Sequence, residues 1–171
     1  MNVEGRTVAH SAVTMSQQIL PHQAGRAGYA HGGEILKMID TAAGVVAVRH
    51  AHTDVVTARV DGVNFLRPIK VLDLVTIDAF PTFVGRSAME IRVEVTVEDM
   101  VKEEKAQALT AYFTLVALDE KGKPTQVPPL ILESDQERER WEKGKQRYER
   151  CRRELMAGDE DYRACREEPA L

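Results

Sequence analysis

The residues whose types and spacing can do chemistry are the pair Gly32-Gly33 and the carboxylate of Asp40. Two glycines set bare backbone at what reads as a helix start. Unpaired N–H groups and the positive end of the helix dipole favour an anion there. Asp40 lies on the same helical face, with Gly33, Lys37 and Gly44 at i, i+4, i+7 and i+11 spacing. Donors at a helix start can hold the oxyanion of an acyl-transfer intermediate, and a carboxylate can activate water or attack directly. The pair suits thioester hydrolysis, because a thiol of pKa about 8.5 leaves without a strong general acid.

A surface carboxylate paired with Lys37 or Arg49 is the plainer reading of Asp40. Against it stand its apolar neighbours, the mediocre helix propensity of Asp and the cost of burying an ion that has no role. These predict a partly buried Asp40 of raised basicity. At 1.5 Å per residue, Gly33 and Asp40 lie about 10 Å apart along the helix. A second subunit supplying the other half of the site would close that gap.

The element that positions them is unusual. Glu34 to His50 has no Pro, many Ala, and apolar residues almost all round, so it reads as a helix buried inside something. Val8 to Gln17 reads as a first strand, and Leu20 to Tyr29, with its Pro and glycines, as a loop. After the helix, Val55 to Val63, Leu72 to Phe83, Met89 to Glu98 and Gln107 to Leu118 read as strands. Met89 to Glu98 alternates strictly, which predicts one wet face. Short connections favour antiparallel pairing. One sheet and one apolar helix are best satisfied when the sheet curls around the helix. The expected fold is α+β, with a domain over residues 8–132 and a charged, helical extension over residues 133–171. In that extension Trp141, Tyr148, Cys151 and Leu155 form a thin apolar stripe, suited to lie on the body or on a neighbouring subunit.

Bulk properties narrow the classes. The chain has 171 residues, a formal charge of −4 and interspersed acids and bases, with no basic field for nucleic acid. Cys151 and Cys165 make no disulfide framework, and no Cys/His spacing suggests a metal. With no leader-like start and no long apolar run, a cytoplasmic protein without membrane spans is expected.

The run His31-Gly32-Gly33-Glu34-Ile35-Leu36-Lys37-Met38-Ile39-Asp40, continuing through Ala43-Gly44 and Arg49-His50, resembles the signature of the hotdog-fold acyl-CoA thioesterases. Val60 to Phe65, Gly85-Arg86-Ser87 with Met89-Glu90-Ile91, and Val127-Pro128-Pro129 followed by Glu133 also match, in order. The resemblance covers roughly residues 8 to 135. It implies a hotdog fold, an antiparallel sheet wrapped around one long central helix. It implies acyl-CoA hydrolysis with Asp40 catalytic, at a site between two subunits of a dimer, with dimers assembling as trimers of dimers. No metal or cofactor is implied, since CoA is part of substrate and product. Many members carry an Asn a few residues before the glycine pair. Here Ala27-Gly28-Tyr29-Ala30-His31 has none, and Tyr29 stands in its neighbourhood.

Other residues have weaker claims. His31 can orient substrate or simply cap the helix. Asn64 can meet the acyl carbonyl or satisfy its own strand end. Arg86 and Ser87, in a turn, suit phosphate contact, as does Arg67. The alternative function is a non-catalytic acyl-CoA-binding module, a sensor built on the same fold.

Overall fold

The computed structural model describes residues 4–157. After β1 (Arg6–Thr7) and a short helix α1 (Val8–Ser11) come β2 (Val13–Gln18) and a 3-10 turn at Pro21–Gln23. The long helix α2 (Gly32–Ala51) follows, then β3 (Asp54–Phe65), β4 (Leu74–Val84), β5 (Ala88–Asp99) and β6 (Glu104–Leu118). The described chain ends with β7 (Leu130–Ile131) and α3 (Asp135–Ala157).

The five-stranded sheet has the order β2-β4-β5-β6-β3, and every neighbouring pair is antiparallel. Helix α2 lies on its inner face. Ile35, Ile39, Ala42, Ala43, Val46 and Ala47 are buried there, against Val75, Ile77, Ile91, Val93, Leu109 and Phe113 among others. Small alanines on the contact side let the helix sit close to the curved sheet. The architecture is the expected sheet wrapped around one helix.

Helix α2 is not buried all round. Val45 and Val48, on the side facing away from the sheet, are 40% and 46% exposed, and Leu36 near the start of the helix is 38% exposed. Its apolar character therefore serves two surfaces, the inner sheet and an uncovered outer face.

Two local expectations change, at residues 8–11 and at Glu90. Residues 8–11 are helical, not part of the first strand, because the Thr7 hydroxyl accepts from His10 N at 3.1 Å and caps a turn there. Pro81 sits in β4 beyond the last β2 pair, Val13 with Ala79, and at a bulge against β5, where its missing N–H is tolerated. The outer face of β5 is not uniformly wet. Glu90 is only 5% exposed, because α3 packs over it.

That packing is specific. Trp141 and Tyr148 rings stand 5.4 and 5.3 Å from the Phe83 ring. Arg147 holds both Glu90 oxygens at 2.9 and 2.7 Å, and Thr82 Oγ1 donates to Glu90 Oε1 at 2.5 Å. A Cβ on Gly144 would stand 2.8 Å from Glu90 Oε1 and from Phe83 Cβ, so glycine sets how close α3 comes. Cys151 Sγ approaches Asp61 at 3.9 Å. The side chain of Leu155, and Cys165, lie outside the described residues.

At the opposite end of α2 a second, two-stranded sheet pairs β1 with β7 in parallel. Beneath it His50, fully buried, bonds Ser11 Oγ through Nδ1 and the Pro128 carbonyl through Nε2, each at 2.9 Å. A carbonyl only accepts, so Nε2 carries the proton and Nδ1 accepts from the serine. The Arg6 guanidinium donates to the His50 carbonyl. Burial, the largest influence, pushes the His50 pKa below its ordinary 6.5, against the Pro128 bond that raises it.

Candidate active site

Helix α2 begins at Gly32 with His31 as its N-cap in an extended conformation, and the His31 side chain makes no capping bond. The His31 carbonyl accepts from Glu34 N at 3.0 Å and from Ile35 N at 3.3 Å. Among the described residues the N–H groups of Gly32 and Gly33 have no partner, as the first turn of a helix requires. A Cβ on Gly33 would meet nothing within 4 Å, and one on Gly32 would meet the Phe65 ring at 3.5 Å. The helix start is therefore open, and Phe65 at the end of β3 forms one wall beside it.

A cleft of about 350 Å³ lies on that side, lined by Tyr29, Gly32, Ile35, Phe65 and Arg67 among others. The structure thus brings Tyr29, Gly32 and Arg67 together. The backbone of Tyr29 bridges to Lys70, which fixes the loop against the start of β4. Asn64 is turned along its own strand, donating from Nδ2 to the Gly62 carbonyl at 3.0 Å. That bond is the strand-end alternative open from the sequence.

Asp40 is exposed in the single chain, at the margin between α2 and the edge strand β3. This corrects the expectation of partial burial. The helix places its buried apolar residues toward the sheet and leaves the Asp40 stripe exposed, beside Thr57 of β3. Its Oδ1 accepts a hydrogen bond from Thr57 Oγ1 at 2.8 Å. Thr57 escaped the sequence reading, since a threonine in a strand is an ordinary β-former and carries no chemical signal of its own.

Arg86 and Ser87 are not near the helix start. Phe65, beside Gly32, pairs with Leu109, whereas Ala88 pairs with Val116, the partner of Val56 at the other end of β3. Their turn therefore lies toward the C-terminal end of α2. The Ser87 carbonyl accepts from Ala117 N at 2.9 Å and the Arg86 carbonyl from Val127 N at 3.0 Å. Among the described residues no group of three or more His, Cys, Asp or Glu is placed to hold a metal ion. No described helix is long and apolar enough to cross a membrane.

The arrangement offers an open set of backbone donors, an apolar cleft with one cation beside it, and a hydroxyl-bonded carboxylate two turns away. Comparison with known proteins gives this geometry a context. The model of the thioesterase superfamily matches residues 27–104. A cytosolic acyl coenzyme A thioester hydrolase of Rattus norvegicus is 38% identical over 150 residues, 86% of this chain and 39% of that protein. The chain thus spans about two fifths of the length of that relative. An uncharacterized acyl-CoA thioester hydrolase of Bacillus subtilis is 36% identical over 134 residues, 78% of each chain. Among solved structures, an acyl-CoA hydrolase from Staphylococcus aureus in complex with butyryl coenzyme A and coenzyme A superposes with TM-score 0.82. It is 32% identical, over 89% of this chain and 93% of that one. The same enzyme has been solved with Ala in place of an Asp, of a Thr and of an Asn. A hexameric acyl-CoA thioesterase superposes with TM-score 0.84 at 30% identity, over 88% of this chain and 97% of that one.

Proposed function

The chain belongs to the thioesterase superfamily, and from that premise we propose that it hydrolyses acyl-CoA to a free carboxylic acid and CoA, with Asp40 as the carboxylate that drives the step. One observation carries the choice of Asp40. It is bonded to Thr57 across 17 positions of sequence, the same interval that separates the Asp and the Thr replaced in the staphylococcal enzyme.

The chemistry follows from the groups present. Thr57 occupies one lone pair of Oδ1 and fixes the plane of the carboxylate. The other oxygen is left to take a proton from water as that water's oxygen bonds to the thioester carbon, or to attack that carbon itself. The carbonyl oxygen becomes an oxyanion, which the Gly32 and Gly33 N–H groups suit. Collapse breaks the C–S bond and releases CoA thiolate, and where Asp40 itself attacked, water then cleaves the acyl–Asp40 anhydride to the free acid and restores the carboxylate. The separation of about 10 Å along α2 keeps the donors and Asp40 of one chain from serving one carbonyl.

The site therefore belongs to two protomers. The exposed Val45 and Val48 on the uncovered side of α2, with Leu36 one turn before Asp40, supply apolar surface for a second copy. Cover by that copy would exclude bulk water from around Asp40. Dimers joined in threes would agree with the hexameric relative. In this reading residues 8–132 form the acyl-CoA unit and residues 133–171 a charged extension, whose helix α3 packs on its outer face. Tyr29 and Arg67 border the cleft for the acyl-CoA. Arg86 and Ser87, at the other end of α2, serve a phosphate only from a neighbouring chain, and His31 stands next to the donor pair. No cofactor enters, because CoA arrives with the substrate. A cytoplasmic location agrees with the cytosolic relative.

The test is thiol release from acyl-CoAs of graded chain length, with wild type and Asp40→Asn. Release by wild type and at least a hundredfold loss in the variant is expected, within the range for a missing general base. No release at any length, with CoA still bound, would turn the reading to the acyl-CoA sensor. Equal release by both proteins would remove Asp40 from its role.

A further inference from the structure

The staphylococcal relative was altered at an Asn fifteen positions before its Asp. The residue fifteen positions before Asp40 is Gly25, which has no side chain to offer. The structure fills that place from elsewhere. A Cβ built on Gly25 points into the His31 ring, 3.1 Å from Cε1, 3.5 Å from Nε2 and 3.7 Å from Nδ1. The ring thus occupies the volume through which a side chain at position 25 would leave the backbone.

Three backbone bonds hold His31 there. Its backbone N–H donates to the Gln23 carbonyl at 2.9 Å, and its own carbonyl accepts the first bonds of α2. Gly25 is held in turn by Tyr29 and Gly28, through bonds of 2.9 Å each. The loop from Gln23 to His31 is therefore a closed turn that sets the imidazole against Gly25 and ends at the residue before the Gly32 and Gly33 amides. The residue is exposed, and among the described residues its ring nitrogens have no hydrogen-bond partner.

We infer that the His31 imidazole is the side-chain donor of this site, giving an N–H to the thioester carbonyl oxygen beside the Gly32 and Gly33 amides. The inference rests on the thioesterase reading and gives it a further catalytic residue. It also moves the missing amide from the neighbourhood of Tyr29 to Gly25, whose distance from Asp40 matches. A neutral imidazole carries one N–H donor, as the task requires, and a protonated one carries two. As the water oxygen bonds to the carbonyl carbon, charge gathers on the oxygen that this N–H meets. The thiolate leaves when that charge returns. Donors of this kind contribute about 10²–10³ in rate.

The experiment measures kcat and KM for the best acyl-CoA of the panel, with CoA affinity by calorimetry, on wild type, His31→Ala, His31→Gln and the double variant Gly25→Asn with His31→Ala. His31→Ala is expected to lose about a hundredfold in kcat while KM and CoA affinity change little. His31→Gln, which keeps an N–H donor, should retain more activity than the alanine variant. The double variant should regain at least tenfold. Retention of kcat within threefold in His31→Ala overturns the inference, and so does a loss that neither Gln nor Gly25→Asn relieves. If wild type releases no thiol, the hydrolase reading fails first and takes the inference with it. That failure is told apart because it already appears before any substitution.

Discussion

Thr57 on the edge strand and Asp40 on the central helix are joined by a hydroxyl-to-carboxylate hydrogen bond of 2.8 Å. Nothing in the packing of a single chain demands this bond, since both residues are exposed. Its consequence is orientational. Thr57→Val keeps the β-branched shape and removes the donor. A hydrogen bond to a charged group is worth about 1.5–3 kcal/mol, so kcat should fall about 10- to 100-fold with KM little changed. Steady-state thiol release checks this, and an unchanged kcat would make the bond incidental.

The exposed apolar face of α2 predicts dependence on assembly. Val48 is 46% exposed beside Val45, so Val48→Glu puts a charge on that surface. Sedimentation should show a smaller species than wild type, and kcat/KM should drop at least tenfold, as a site shared between protomers requires. A dissociated variant that keeps full activity would confine the site to one chain.

His50 predicts a pH dependence of stability. Its folded pKa lies below the unfolded 6.5 because burial disfavours the charged ring. The unfolded chain therefore takes the proton first. The stability that neutral His50 contributes is fully present above pH 6.5 and is lost as pH falls through that value toward the folded pKa. In urea unfolding, the advantage of wild type over His50→Gln should shrink by up to about 1.4 kcal/mol per pH unit in that window. A constant advantage from pH 7.5 to about 5.5 would assign the effect to packing alone.

Gly144 predicts a sign. Alanine in place of glycine in a helix gains about 1 kcal/mol of propensity. The added Cβ would stand 2.8 Å from Glu90 Oε1 and from Phe83 Cβ, both in the interior of the contact. Overpacking of this kind costs about 1–3 kcal/mol and strains the part-buried Glu90–Arg147 pair as well. Gly144→Ala should lower the melting temperature. A rise would show that α3 stands off the sheet in solution.

Much of this architecture was legible in the residues. The length and apolar content of Glu34 to His50, and the alternation from Met89 to Glu98, announced the central helix and a strand of the sheet beside it, because periodicity is a local property. What escaped depends on tertiary placement. Residues 8–11 look like strand, yet the Thr7 cap turns them, and the Ser11 bond to His50 then ties them to α2. Glu90 looks wet until α3 covers it. Thr57 and Asp40 meet only because β3 folds back along α2, and a sequence carries no mark of a bond between two such ordinary positions. Arg86 and Ser87 lie near Met89 in sequence but far from Gly32, because strand register sends their turn to the other end of the helix. The uncovered side of α2 was the subtlest case. A helix apolar all round reads as enclosed, and the single chain encloses only part of it.

The parallel pair of β1 and β7 sets an order on the making of this protein. Arg6 and Thr7 find their partners in Leu130 and Ile131, so the first strand stays unpaired until nearly all of the sheet has been synthesised. His50 waits as well, because Pro128 must arrive before its ring is closed off. A nascent chain halted anywhere before that point can hold the central helix and several strands. It still carries an open seam at the C-terminal end of α2, and the ribosome must deliver the last short strand before that seam shuts.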